Sequence, residues 1–113
     1  MGLDQYAMLR PFEGEDDEIA YWRKHPNLQG WMENLYREKG GEGEFNCVEV
    51  ELTTEDINRL EEDIKDGLLP NTQGFFFGND ADEHYENSDL EFCANARKVL
   101  DADEGKIVYT SWW

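Results

Sequence analysis

The sequence has few cysteines, no long apolar run and no apolar leader. Its two cysteines, Cys47 and Cys93, both lie among apolar residues, which favours buried free thiols over a disulfide and indicates a reducing compartment. No apolar run approaches the length of a membrane span. The first residues lack a basic segment followed by an apolar one, so we expect an unexported, cytoplasmic protein.

Positive charge is scarce as well. Ten lysines and arginines face 27 aspartates and glutamates, for a net charge of −17. Residues 42–104 hold nineteen acids and four bases, whereas residues 1–41 hold eight acids and five bases. A field of this sign repels nucleic-acid phosphate and anionic membranes and attracts basic surfaces. The acidity indicates either a surface adapted for solubility or salt, or an imitation of nucleic acid directed at a basic partner.

Motifs for metal binding and nucleophilic catalysis are also missing. No serine precedes Ser88, neither cysteine has a catalytic signature around it, and the two histidines have no zinc-site spacing. The segment from Asp80 to Glu91 offers oxygen ligands at calcium-loop offsets. However, it has Tyr85 where such a loop needs glycine. We expect neither a metal nor another cofactor.

The chain is long enough to bury one core and contains 13% aromatic residues, so we predict a single domain over residues 1–113. Hydrophobic periodicity predicts strands over 3–9, 45–52, 74–78 and 106–113. It predicts helices from 16 to a break before Pro26, then over 26–39, 54–67 and 88–101. This order predicts an α+β fold in which about three helices pack on a four-stranded, mainly antiparallel sheet.

The last three predicted helices each have an apolar stripe and end signals. Thr53 and Ser88 are placed to cap the last two helices, and Gly67 to end the first of those two. The residues predicted to face the core are Leu28, Trp31, Met32 and Leu35, then Ile57, Leu60, Ile64 and Leu68, and finally Leu90, Cys93, Ala94, Arg97 and Leu100.

One candidate binding cluster consists of Trp22, Arg23, Lys24 and His25, which follow Tyr21. A helix break before Pro26 would expose the aromatic and cationic groups together, and this composition is typical of binding hot spots. Alternatively, Tyr21 and Trp22 belong to the core while Arg23 and Lys24 pair with acidic residues. An enzyme would have to centre on His25 and its neighbours.

A second candidate surface is the outer face of the predicted helix after Thr53, together with the acidic loop that follows residue 78. Carboxylates there could take the place of nucleic-acid phosphates and speed association with a basic partner. The residues concerned are Glu55, Asp56, Glu61, Glu62, Asp63 and Asp66 on the helix, and Asp80 and Asp82 in the loop.

Four motifs together resemble those of a group of small bacteriophage proteins of unassigned function. They are Met1-Gly2-Leu3-Asp4-x-Tyr6, Tyr21-Trp22-Arg23-Lys24, Leu69-Pro70 followed by Gly74-Phe75-Phe76-Phe77-Gly78, and Tyr109-Thr110-Ser111-Trp112. The resemblance covers nearly the whole chain. It implies an accessory protein made in the cytoplasm of a bacterial host, and it transfers no catalytic residue.

These observations favour a non-enzymatic acidic phage protein that binds and inhibits a basic or nucleic-acid-handling protein, for example one of host defence. The expected partner is a host or phage protein with a basic surface, without direct contact to nucleic acid or membrane. The alternative is a small enzyme or anionic-ligand-binding protein that uses Trp22, Arg23, Lys24 and His25. A structural or assembly component is a third possibility.

Overall fold

The computed structural model describes residues 3–23, 25–69 and 86–112. In chain order these hold β1 (Asp4–Pro11), β2 (Asp17–Arg23), α1 (Pro26–Glu38), β3 (Glu49–Leu52), α2 (Thr54–Lys65), α3 (Glu86–Asp101) and β4 (Gly105–Trp112). The four strands form one antiparallel sheet in the order β2-β1-β4-β3. The predicted α+β class, with a four-stranded antiparallel sheet and three helices in the described part of the chain, is confirmed.

The two faces of the sheet differ in burial. On β1 and β4, Ala7 and Tyr109 are directly opposite each other and both fully buried, and Val50 of β3 is opposite Tyr109. We call this side the helix face, because the three helices pack their apolar residues against it in one core. Successive strand residues point to opposite sides of the sheet, so the residues that alternate with those of the helix face form the other side. We call that side the open face.

The apolar stripes predicted for α1 and α2 account for most of the helical core. All four predicted α1 residues are buried, and so are Ile57, Leu60 and Ile64 of α2. Leu68 was predicted to extend this stripe, but it is 63% exposed. The helix has already ended at Lys65, and Gly67 adopts a positive φ of 68° that reverses the chain.

The prediction of a helix from residue 16 to the break before Pro26 is wrong, because Asp17–Arg23 is strand β2. The acidic residues before Ile19 resemble a helix start, but they lie in and next to the exposed β1–β2 connection. Ile19, Tyr21 and Trp22 are β-branched or aromatic residues that fit a pleated surface. Pairing with β1 over six residue pairs therefore overrides the local helix signal.

The start of α3 also differs from the prediction. The helix already includes Glu86, so Ser88 lies within it and is not its N-cap. Its buried residues are Asp89, Phe92, Cys93 and Ala96, whereas Ala94, predicted to face the core, is exposed. The predicted Cys93 is buried, and Leu90 and Leu100 are partly buried against the core, but the fully buried stripe is shifted toward Phe92 and Ala96 and begins with a carboxylate.

Strand β3 is shorter than the predicted strand over 45–52, although its alternation is confirmed: Val50 and Leu52 are buried and Glu49 is exposed. Cys47 has a φ of 60° and precedes the strand. Both cysteines are free thiols, as predicted, but only Cys93 is buried and Cys47 is exposed. The predicted strand over 74–78 lies outside the described residues.

Candidate functional site

The predicted aromatic and cationic cluster is divided between two sides of the molecule. Trp22 is 3% exposed on the helix face, whereas Arg23 follows it on the strand and is exposed. His25 is fully buried, and Pro26 takes the first position of α1 as predicted. Lys24 lies outside the described residues. Trp22, Arg23 and His25 therefore do not share one exposed surface, because no helix break exists there to expose them together.

Asp89 connects two members of that cluster inside the protein. Its Oδ1 accepts a hydrogen bond from Trp22 Nε1 at 2.8 Å, and its Oδ2 lies 2.7 Å from His25 Nε2. The side chains of His25 and Asp89 are 0% and 1% exposed. Phe92, one turn later on α3, meets the Trp22 ring edge-on at 5.1 Å. The two hydrogen bonds of Asp89 therefore connect α3 with β2 and with the residue that precedes α1.

Gln5 of β1 extends this buried network to the sheet. Its side chain accepts a hydrogen bond from the backbone N–H of His25 at 2.9 Å and donates to the backbone oxygen of His25 at 3.0 Å. It also donates to the Tyr109 hydroxyl at 2.8 Å, which in turn donates to Gln29 at 2.6 Å. Burial, the largest effect, raises the pKa of Tyr109 well above its usual value. The network fixes the chain between β2 and α1.

The buried thiol next to this network is not an activated nucleophile. Burial raises the pKa of Cys93 to about 12, and the nearby carboxylates of Glu61 and Asp89 act in the same direction. A thiol with so high a pKa is protonated at neutral pH, and the thiolate is the reactive form. The buried histidine and carboxylate therefore connect elements of the fold, and the thiol beside them stays protonated.

The predicted acidic surface of α2 is partly engaged in internal contacts. Asp56 accepts hydrogen bonds from Thr53 N–H and from Lys39 Nζ at 2.9 and 2.7 Å. Glu61 accepts from Arg97 at 3.2 Å and Asp63 accepts from Trp31 Nε1 at 2.8 Å. The other three predicted residues are exposed: Glu55, Glu62 and Asp66. Asp80 and Asp82 lie outside the described residues.

Replacing Asp56 by asparagine should reduce stability in a pH-dependent way. Burial alone would raise the pKa of Asp56, but the hydrogen bonds from Lys39 and Thr53 outweigh it and hold that pKa below its ordinary value of 3.8. Because the pKa is lower in the folded protein than in the unfolded chain, the ionised carboxylate stabilises the fold at pH values above the ordinary pKa. This contribution disappears as the pH falls through the folded pKa. We expect Asp56→Asn to cost about 1 to 2 kcal/mol at neutral pH.

Denaturant unfolding of both proteins between neutral pH and pH 3 or lower would measure this difference, which should shrink once the pH falls below about 4. Glu62→Gln, an exposed change on the same helix, is the control and should stay within about 0.5 kcal/mol of wild type. A difference between Asp56→Asn and wild type that is independent of pH would contradict the assignment.

Exposed carboxylates from three connections meet at one end of the sheet. Pro11 of β1 is opposite Gly105 of β4, Leu9 is opposite Asp17 of β2, and Leu52 of β3 is opposite Ile107. The β1–β2 connection, the α3–β4 turn and the start of α2 therefore emerge together. We call this the acidic end, formed by the exposed residues Glu13, Glu15, Asp17, Glu55, Asp103 and Glu104.

Three aromatic rings lie side by side on the open face, at the opposite end of β1 and β4. Tyr6 of β1 is the middle ring, 5.1 Å from the Tyr21 ring of β2 and 4.8 Å from the Trp112 ring of β4. Tyr21 and Trp112 are each 47% exposed. We call these three residues the aromatic row. Asp4 lies beside it and accepts a hydrogen bond from the Tyr21 hydroxyl at 2.7 Å.

Sequence reasoning missed both the aromatic row and the role of Asp89. Tyr21 was interpreted as either core or part of the cluster with Trp22, because a helix was predicted there. In a strand, these neighbours point to opposite faces, so Trp22 is buried and Tyr21 is exposed. For Asp89, the available signal was a carboxylate spaced three and four residues before the buried Phe92 and Cys93 on a helix.

Comparisons with protein-family models, with curated proteins and with solved structures found no match. Among the described residues, no helix is long and apolar enough to cross a membrane. In the same ranges, no three histidine, cysteine, aspartate or glutamate side chains are grouped so that they could hold a metal ion.

Proposed function

We propose that this protein is a non-enzymatic phage accessory protein that binds and inhibits a host protein with a basic, nucleic-acid-binding surface. The observation that carries the proposal is the acidic end, where exposed carboxylates of the β1–β2 connection, the start of α2 and the α3–β4 turn converge. Such a surface offers negative charge at several points on a rigid scaffold, as a nucleic-acid backbone does. A net charge of −17 adds long-range attraction to a basic partner.

Most of the positive side chains pair with carboxylates of the same chain and are already counted in the net charge of −17, so the excess of carboxylates sets the sign of the field. Arg10, for example, contacts both Asp16 at 3.0 Å and Glu49 at 2.6 Å, and Lys39 contacts Asp56 at 2.7 Å. Further ion pairs of the described residues involve Arg37, Arg59, Lys65, Arg97 and Lys106.

Affinity capture from a bacterial host lysate at low ionic strength tests the proposal. The wild-type protein should retain a basic protein that added salt releases, because salt screens exposed charges. A variant with Glu13→Gln, Glu15→Gln, Asp103→Asn and Glu104→Gln removes four charges from the acidic end. It should retain at least about tenfold less of that protein, since charge complementarity governs its association rate.

A matched variant removes four exposed charges elsewhere, through Glu42→Gln, Glu44→Gln, Glu86→Gln and Glu91→Gln. It should retain close to the wild-type amount. A further variant with Glu55→Gln, Glu62→Gln and Asp66→Asn measures the contribution of α2. The purified partner should lose nucleic-acid binding or cleavage when wild-type protein is added. Equal losses with both four-charge variants, or no basic protein captured, would contradict the proposal.

A further inference from the structure

The aromatic row is a continuous exposed surface that the core does not require. Its neighbouring rings are tilted by 48° and 42°, so their faces and edges together form a shallow platform across β2, β1 and β4. Tyrosine and tryptophan in such positions are the residue types that contribute most to binding energy in protein interfaces. The platform lies on the side of the sheet opposite the three helices.

The electrostatics of the row favour a positively charged ligand. Asp4 is opposite Arg23 on β2 and opposite Trp112 on β4, so its carboxylate lies among the rings. The hydrogen bond to Asp4 is the largest effect that raises the pKa of Tyr21. Burial, followed by the charges of Asp4 and Glu18, raises the pKa of Tyr6. The charges of Asp4 and Glu18, which contribute to these raised pKa values, would also stabilise a cation over the ring faces.

A nucleic-acid strand could also stack its bases on a row of rings, but such sites combine stacking with a positive groove for the phosphates. Among the described residues around the row, Arg23 adds one positive charge at its edge, while Asp4 and Glu18 add two negative ones, in a chain of net charge −17. The charge complementarity therefore selects a cationic polypeptide as the occupant.

We infer that the aromatic row, with Asp4, binds arginine side chains of a basic partner protein. The inference rests on the proposed function, since it names the chemical group of the partner that this face recognises. A guanidinium is planar, stacks on aromatic faces and pairs with a carboxylate, whereas a lysine ammonium is a more strongly hydrated point charge. The row therefore adds a preference for arginine that charge attraction alone does not supply.

A hexa-arginine and a hexa-lysine peptide are suitable probes, because they carry equal charge and differ in their ability to stack. Their dissociation constants should be measured at about 0.15 M ionic strength, where charges more than about 8 Å apart are largely screened. Wild type should bind hexa-arginine more tightly. Trp112→Leu, which leaves the charge unchanged, should weaken hexa-arginine binding about three- to tenfold and remove most of the preference.

The control is Leu68→Ala, which removes a 63% exposed apolar side chain beyond the end of α2, outside both the aromatic row and the acidic end. It should bind both peptides as wild type does, and circular dichroism should show all variants folded. Tyr21→Leu provides a second row variant and should act in the same direction as Trp112→Leu.

The outcomes separate this inference from the proposed function. The inference would be overturned if both row variants kept the wild-type preference for arginine. The proposed function would still stand if neutralising the acidic end weakened binding. No binding of either peptide by wild type would overturn both. If wild type bound oligothymidylate and Trp112→Leu did not, the row would be a nucleic-acid site. If wild type sedimented as a dimer and Trp112→Leu as a monomer, the row would be a contact between two copies of the chain. Either result would overturn the inference.

Discussion

Replacing Asp89 by alanine is expected to lower the free energy of unfolding by about 3 to 5 kcal/mol. The reason is that one carboxylate serves two buried partners, Trp22 Nε1 at 2.8 Å and His25 Nε2 at 2.7 Å. Alanine would leave both polar groups in an interior that water does not reach. Because a domain is typically stable by only about 5 to 15 kcal/mol, this change would remove a large part of the total.

Chemical denaturation followed by circular dichroism would measure the effect. Glu91→Ala, an exposed change two residues further along α3, is the control and should stay within about 0.5 kcal/mol of wild type. Asp89→Asn keeps one acceptor oxygen and should fall between the two. Combined with Trp22→Phe, Asp89→Ala should cost less than the sum of the single changes, because the two residues share a hydrogen bond. Additive effects, or a loss below 1 kcal/mol for Asp89→Ala, would contradict this role.

Replacing Gly105 by valine is expected to destabilise the protein by about 3 kcal/mol, at the upper end of the cost of overpacking. A Cβ at this position would meet the backbone oxygen of Arg10 and lie 2.6 Å from Pro11 Cα. Both are main-chain atoms of β1, so strand β4 would have to move away from β1. Intrinsic strand preference alone would give the opposite sign, since valine is favoured in strands and glycine is not.

Thermal or denaturant unfolding would show whether Gly105→Val lowers or raises the free energy of unfolding. Gly105→Ala should show a smaller loss, of about 2 kcal/mol, in the same direction. Gly43→Ala calibrates the comparison, since no atom lies within 4 Å of the added Cβ and only the positive φ of 84° is unfavourable. That strain should cost about 1 kcal/mol. A Gly105→Val protein as stable as wild type would show that β1 and β4 do not approach so closely at this point.

Much of the helical structure was predictable because its signals are local. Pro26 begins α1, and the i, i+3, i+4, i+7 spacing from Leu28 to Leu35 describes its buried face. Thr53 and Asp56 form a reciprocal cap at the start of α2, and Gly67 follows its end. Each of these features depends on residues within one or two turns, so sequence spacing is enough to recognise it.

The strand β2 was not predictable in this way, because the residues that decide it are distant or act through the sheet. The acidic residues up to Glu18 are compatible with a helix start, and only pairing of Tyr21 with Tyr6 and of Trp22 with Gln5 selects the strand. The aromatic row depends on that pairing, since it brings together rings from residues 6, 21 and 112. An error in one element therefore concealed a whole surface.

Two properties of this protein follow from its sequence alone. One is its strong negative charge, which is a matter of composition, and the other is its α+β class, which follows from hydrophobic periodicity within single elements. Only the tertiary structure decides that Asp89 is internal while Tyr21 and Trp112 are external, and that carboxylates of residues 13 to 17 and 103 to 104 meet at one end. The physical reason is that strand register places residues far apart in the chain side by side, and register results from burial over the whole sheet.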